Sequence, residues 1–203
     1  RRRAARYADD APQRFHWGET PRLGGLGLLA GWAIALAALP LLQRAHMAGN
    51  IDSVKLHLGT WLLMLLPAFV GGVLEDMTQR LRVSWRLLLT LTSGLLAWGV
   101  LGVSVPHLGF GWIDPYWAAW PWLGVGVAVL AVTGLPHAFN IIDGYNGLAG
   151  AVALVVCLAL AHVALQVADR ELAAMAIALA AATAGFLVWN YPRGLIFAGD
   201  AGA

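Results

Sequence analysis

A single cysteine in 203 residues excludes both a disulfide framework and a thiolate metal cluster; Cys157 lies inside an apolar run, where it packs as a small hydrophobe. Charge is nearly as scarce. Only 12% of residues are Asp, Glu, Lys or Arg, against about 25% in soluble domains, which excludes an ordinary water-soluble chain. There is no internal repeat, no low-complexity linker and no soluble domain, and the longest polar stretch is residues 1–22. No apolar core with a cleavage site falls within that stretch, so it is a topogenic basic segment and not a secretory signal. The strong two-residue alternation of a membrane barrel is also missing. No nucleic-acid partner is expected.

What remains is apolar: 60% hydrophobic residues and a mean hydropathy of +0.70. A hydrocarbon core of about 30 Å needs roughly 20 apolar residues in a helix. Six runs come close to that length, at 23–42, 58–74, 87–105, 120–138, 147–167 and 172–189. Backbone polar groups in lipid must be satisfied within the segment, so each run is expected to be a helix. The predicted fold is all-α, a polytopic membrane bundle of about six transmembrane helices in one integral membrane domain spanning 1–203. Gly and Ala recur in "GVGVAVLAVTG" and "ALAAATAG", as close helix packing in lipid requires.

Cations set the orientation. With residues 1–22 in the cytoplasm, the loops on that side are 1–22, 75–86, 139–146 and 190–203. They hold Arg1, Arg2, Arg3, Arg6, Arg14, Arg22, Arg80, Arg82, Arg86 and Arg193, leaving Arg44, Lys55 and Arg170 outside. The stretch "HLGFGWIDPYWAAWPW" then becomes an outer loop whose Trp112, Tyr116, Trp117, Trp120 and Trp122 form an interfacial aromatic belt.

On this map Glu75, Asp76, Asp143 and Asp200 fall on one side, in three separate stretches flanked by Gly or Asn. Each alone suits an ordinary turn or a solvated helix end. Together, carboxylates at a membrane boundary call for a shared counter-charge, since each costs about 2.5–3.5 kcal/mol at membrane depth. Hard cations take a few carboxylates plus phosphate oxygens, arginines bind phosphate bidentately, and glycines let backbone N–H groups approach an anion. The residues therefore point to a metal-bridged, phosphorylated ligand.

Four quoted blocks, "DAPQRFHWGETPRLGG", "GGVLEDMTQRLRVSWRLL", "AFNIIDGYNGLAG" and "VWNYPRGLIFAGDAG", together with the helix that follows the third, resemble the polyprenyl-phosphate N-acetylhexosamine-1-phosphate transferases, glycosyltransferase family 4. The "ED" pair and "NIIDGYNGLAG" look more like the undecaprenyl-phosphate N-acetylglucosaminyl-1-phosphate transferase branch than the muramoyl-pentapeptide branch. The resemblance implies transfer of an N-acetylhexosamine 1-phosphate from a UDP-amino sugar such as UDP-N-acetylglucosamine to undecaprenyl phosphate. UMP is released, and a lipid-linked cell-envelope polysaccharide is begun, as in cell-wall or lipopolysaccharide biosynthesis. It further implies a magnesium ion, with manganese able to replace it, at Asp200 and Asp143. Glu75, Asp76 and Asp143 become catalytic candidates; Asn140, Asn146, Asn190, Arg193 and His16 become substrate-binding candidates. Glu75 and Asn146 stand where aspartate is commoner in the family. His137, beside Pro136, is expected to pack or cap.

The expected location is the bacterial cytoplasmic membrane with the site facing the cytoplasm, membrane lipid around it, and a homodimer compatible with it. Lacking an initiator Met and stopping just after "GDAG", the chain is expected to be a portion of a larger bundle that does not turn over alone. The rival readings are an ion-coupled carrier, which would place its carboxylates near mid-membrane, and a non-catalytic membrane partner.

Overall fold

A computed structural model describes residues 20–46 and 51–203; His16 and Arg1, Arg2, Arg3, Arg6 and Arg14 lie outside the described residues. These residues are helical, without a strand among them: α1 (Gly24–His46), α2 (Ile51–Thr78), α3 (Val83–Leu101), α4 (Asp114–Ala119), α5 (Pro121–Ile142), α6 (Leu148–Gln166) and α7 (Arg170–Asn190). Five stretches, Leu58–Thr78 within α2 and the whole of α3, α5, α6 and α7, are long and apolar enough to cross a membrane, and Gly24–Leu39 is a shorter apolar helix. Large apolar side chains such as Leu130, Val155 and Val188 stand exposed on these helices. That outward face suits lipid as solvent, and the protein is a multi-pass helical membrane bundle.

The helices pack in closed order: α1 on α2, α2 on α3, α3 on α5, α5 on α6, α6 on α7, and α7 back on α1. Small residues make the contacts. Ala149, Gly150, Cys157, Ala161 and Ala164 are buried on α6, and Ala173, Ala176, Ala180 and Thr183 are buried at three- and four-residue spacing on α7. One larger cluster forms where Trp32 and Leu36 of α1 meet Met175 and Ala178 of α7, with the Trp32 indole N–H donating to the Met175 carbonyl at 3.2 Å.

Helix ends depart from the ends of the apolar runs, because the hydrogen-bond ladder stops at backbone signals and not where hydropathy falls. The third helix begins at Val83, ahead of the apolar run, and ends where Gly102 takes a left-handed φ of 66° and its N–H bonds the Trp98 carbonyl at 2.8 Å. Pro121 opens α5, which continues past its apolar run to Ile142. Consequently Glu75 and Asp76 ride on the last turns of α2 and Asn140 on the last turn of α5. The aromatic loop contains the short helix α4, held by Asp114 Oδ1 accepting from Leu108 N at 2.9 Å and by the Trp117 indole N–H donating to the Val105 carbonyl at 2.7 Å. Trp112, Tyr116, Trp120 and Trp122 are exposed around it.

Candidate active site

Alternation of the long helices brings the C-terminal ends of α2, α5 and α7 together with the N-terminal ends of α1, α3 and α6. Into that end folds the segment 197–203. Its backbone is laced to the start of α1: Phe197 N–H donates to the Pro21 carbonyl at 3.0 Å, Gly24 N–H to Phe197 O at 2.9 Å and Gly25 N–H to Ala198 O at 2.8 Å. On the α2 side the approach is so close that a Cβ at Gly72 would lie 2.5 Å from the Asp200 carbonyl oxygen.

Asp76 closes this arrangement. One of its carboxylate oxygens accepts from the Asp200 N–H and the other from the Ala201 N–H, both at 2.9 Å. Charge-assisted bonds to backbone N–H groups are among the stronger hydrogen bonds. The carboxylate sits beneath Gly199, which adopts φ 72°; a Cβ there would fall 2.5 Å from Asp76 Oδ2. Gly199→Ala would combine a left-handed penalty of about 1–2 kcal/mol with displacement of the carboxylate. It should lower the melting temperature of the detergent-solubilised protein, and an unchanged melting temperature would show that the loop does not rest on Asp76.

The loop held in this way presents Asp200. Its side chain, 11% exposed, takes an ion pair from Arg86 Nη2 at 3.3 Å and a short hydrogen bond from Asn140 Nδ2. Arg86 is in the first turn of α3 and Asn140 in the last turn of α5, so two helices grip the two oxygens of one carboxylate. Asp143 follows as the cap of α5, its N–H donating to Phe139 O at 3.1 Å. Burial pushes its carboxyl above the usual carboxylate range, and the Arg22 charge only partly opposes this.

The remaining candidates occupy different stations. Glu75 accepts from Leu81 N–H at 2.8 Å through Oε2 and so fastens the turn after α2; no hydrogen bond joins it to Asp200. Asn190, expected to meet substrate, is 2% exposed, and both ends of its amide are engaged, Oδ1 by Gly147 N–H at 2.5 Å and Nδ2 by the Ile196 carbonyl at 2.9 Å. Asn146 donates to the Pro192 carbonyl at 3.0 Å, while its Oδ1 is shielded from solvent without a hydrogen-bond partner. These two asparagines stitch the turn after α5 to the turn after α7. Arg193 is exposed on the latter turn. Arg86 is the site residue that sequence reasoning counted only as a topogenic charge; in the sequence nothing sets it apart from Arg80 and Arg82.

No group of three or more His, Cys, Asp or Glu side chains is arranged as a metal cage among the described residues. A hard cation that keeps substrate phosphates and water as ligands needs only one or two carboxylates. Asp200 qualifies, because a carboxylate has about four lone-pair sites and Arg86 and Asn140 engage only part of that capacity. Asp76 is less available, both its oxygens being committed to backbone N–H groups.

Residues 58–203 match glycosyl transferase family 4. The chain is 32% identical to a Phospho-N-acetylmuramoyl-pentapeptide-transferase of Synechococcus sp. over 96% of its own length and 55% of that protein. It is 31% identical to the enzyme of the same name from Moorella thermoacetica, over 91% of its length and 57% of the relative. A Bacillus subtilis protein named "Probable undecaprenyl-phosphate N-acetylglucosaminyl 1-phosphate transferase" is 26% identical over 90% of this chain and 47% of its own. The chain thus spans about half the length of the curated relatives it matches.

Proposed function

The chain belongs to glycosyl transferase family 4, and from that membership we propose that it takes part in transferring a sugar 1-phosphate from a UDP-amino sugar to undecaprenyl phosphate, with release of UMP. The observation that carries the reading is the grip on Asp200, a carboxylate held by Arg86 and Asn140 on a loop that Asp76 anchors. Such rigid placement suits a phosphoryl transfer, in which catalysis is largely positioning and charge stabilisation.

In the proposed reaction an oxygen of the lipid phosphate attacks the phosphorus that bears the sugar. The bond from that phosphorus to the UMP oxygen breaks, UMP leaves with the bonding pair, and the lipid is left carrying a pyrophosphoryl sugar. Arg22, Arg80, Arg82 and Arg193 stand at the same end of the bundle, and guanidinium groups suit anionic substrate oxygens. Asp200, with Asp143, would supply the carboxylates for magnesium or manganese. When bound, such an ion would neutralise charge on the pyrophosphate and stabilise the departing UMP. The same arginines, with Arg170 at the opposite end, support a cytoplasmic site in a bacterial inner membrane.

For the donor we propose UDP-N-acetylglucosamine, in line with the name of the Bacillus subtilis relative and with initiation of a lipid-linked envelope polysaccharide. The higher identity to phospho-N-acetylmuramoyl-pentapeptide transferases favours a muramoyl-pentapeptide phosphate as the second reading. Both are separated by one assay: exchange of labelled UMP into each UDP-sugar by membranes containing the full-length protein, undecaprenyl phosphate and magnesium. Asp200→Asn should reduce exchange on the order of 10²–10³-fold, the usual effect of removing a transition-state charge partner. Absence of exchange with every UDP-amino sugar, from folded protein, would hand the chain to the carrier or non-catalytic partner readings.

A further inference from the structure

Two of the buried polar side chains among the described residues are hydroxyls one turn apart on α3: Thr90, 6% exposed, and Ser93, 5% exposed. Each reaches a different neighbouring helix, and in each case the contact falls on the residue immediately after an in-helix proline. Ser93 Oγ accepts from the backbone N–H of Ala68 at 3.1 Å, next to Pro67 of α2. Thr90 Oγ1 lies 3.1 Å from His137 Nε2, next to Pro136 of α5. The Thr90 hydroxyl also has the Arg86 and Leu87 carbonyls within 3.1 Å. Its proton is therefore well used on its own helix, leaving an oxygen lone pair for an Nε2–H of His137.

A proline removes one rung of the helical ladder and crowds the carbonyl four residues back, so the direction of the helix beyond it is set less by its own hydrogen bonds. Beyond Pro67, α2 runs to Gly72 and Asp76; beyond Pro136, α5 runs to Asn140 and its cap Asp143. These are the helix ends that carry the acidic cluster. We infer that Thr90 and Ser93 are positioning residues, a pair of hydroxyls through which α3 fixes the headings of two proline-interrupted helices and hence the spacing of Asp76, Asn140 and Asp143 around Asp200. The inference rests on the transferase reading for its catalytic consequence.

The lever is long enough to matter. From Ala68 to Asp76 is eight residues, about 12 Å of helix at 1.5 Å per residue, so a swing of about 5° moves Asp76 by about 1 Å. A misplacement of that size can cost about 100-fold in rate. Arg86, on the strut itself, is one turn from Thr90, so the Asp200 ion pair and the α5 contact share one short piece of α3.

The experiment combines kinetics with distance measurement on the membrane-embedded protein. Thr90→Val and Ser93→Ala remove the hydroxyls at nearly constant volume, and Thr90→Ser and Ser93→Thr keep them. UMP exchange should show kcat reduced about ten- to a hundred-fold in Thr90→Val and Ser93→Ala, with KM within about twofold and the hydroxyl-keeping variants near the parent. In parallel, spin labels at the exposed Met77 and Ile141, placed through cysteines in a Cys157→Ala background, report the distance between the ends of α2 and α5. That distance distribution should broaden or shift in the Thr90→Val/Ser93→Ala protein and not in Thr90→Ser/Ser93→Thr. An unchanged distribution, or a loss confined to melting temperature with kcat intact, overturns the inference. A parent without exchange activity whose label distances still respond supports the strut while defeating the transferase reading.

Discussion

Asp76→Asn should impair transfer and also release the segment that carries Asp200, whereas Asp200→Asn should reduce transfer on the order of 10²–10³-fold and leave that segment in place. The difference follows from what each carboxylate touches. Both oxygens of Asp76 accept backbone N–H groups, those of Asp200 and Ala201, at 2.9 Å. An asparagine offers one acceptor and turns an NH₂ group toward the second N–H. One part-buried donor then loses its partner, a penalty of about 1–3 kcal/mol, and the charge assistance goes as well. Asp200, by contrast, enters that clamp through its backbone N–H, which an asparagine preserves. Its side chain answers instead to Arg86 and Asn140. Amide hydrogen exchange over residues 197–203 should rise in Asp76→Asn and stay near the parent level in Asp200→Asn, with UMP exchange strongly reduced in both. Full protection of that segment in Asp76→Asn would mean that the lacing to Pro21, Gly24 and Gly25 suffices to hold it, and Asp76 would have to be given a role in chemistry alone.

How much of this could be read beforehand depends on the range of the interaction. The spans were legible because lipid thickness imposes a length on apolar runs, and the gathering of Asp76, Asp143 and Asp200 at one end follows from alternating passes of six helices. The helix ends were less legible: Asp76 and Asn140 look like loop residues by hydropathy, yet the ladder continues through them until Thr78 and Ile142. The roles were least legible of all. Asp76 meets Asp200 across 124 positions, and Asn190 is consumed by Gly147 across 43; neither pairing leaves a periodicity or a local spacing in the chain. Arg86 illustrates the same limit. As a charge near a helix start it is indistinguishable from Arg80 or Arg82, and only its ion pair with Asp200 separates it from them.

Asp143→Asn should make the metal-free protein more stable at neutral pH while removing transfer activity. Burial raises the proton affinity of the Asp143 carboxyl, with Arg22 offsetting part of the effect, so ionisation is less favourable in the folded chain than in the unfolded one. Below the unfolded value, about 3.9, both states hold the proton and no penalty exists. As pH rises from there through the higher folded value, the unfolded chain gives up its proton first, and stability is lost until both states are ionised. An asparagine does not titrate and escapes that loss. The melting-temperature advantage of Asp143→Asn, measured in EDTA, should therefore be small near pH 4 and grow toward neutrality. Magnesium should reverse the order: a cation that binds only the folded protein stabilises it in proportion to its affinity, and the parent has the carboxylate with which to bind it. A variant no more stable than the parent at neutral pH would show that Arg22 already compensates the buried charge. A more stable variant that magnesium leaves unaffected, beside a parent that magnesium stabilises, would identify Asp143 as a carboxylate kept at the expense of folding so that a cation and its phosphates can complete it.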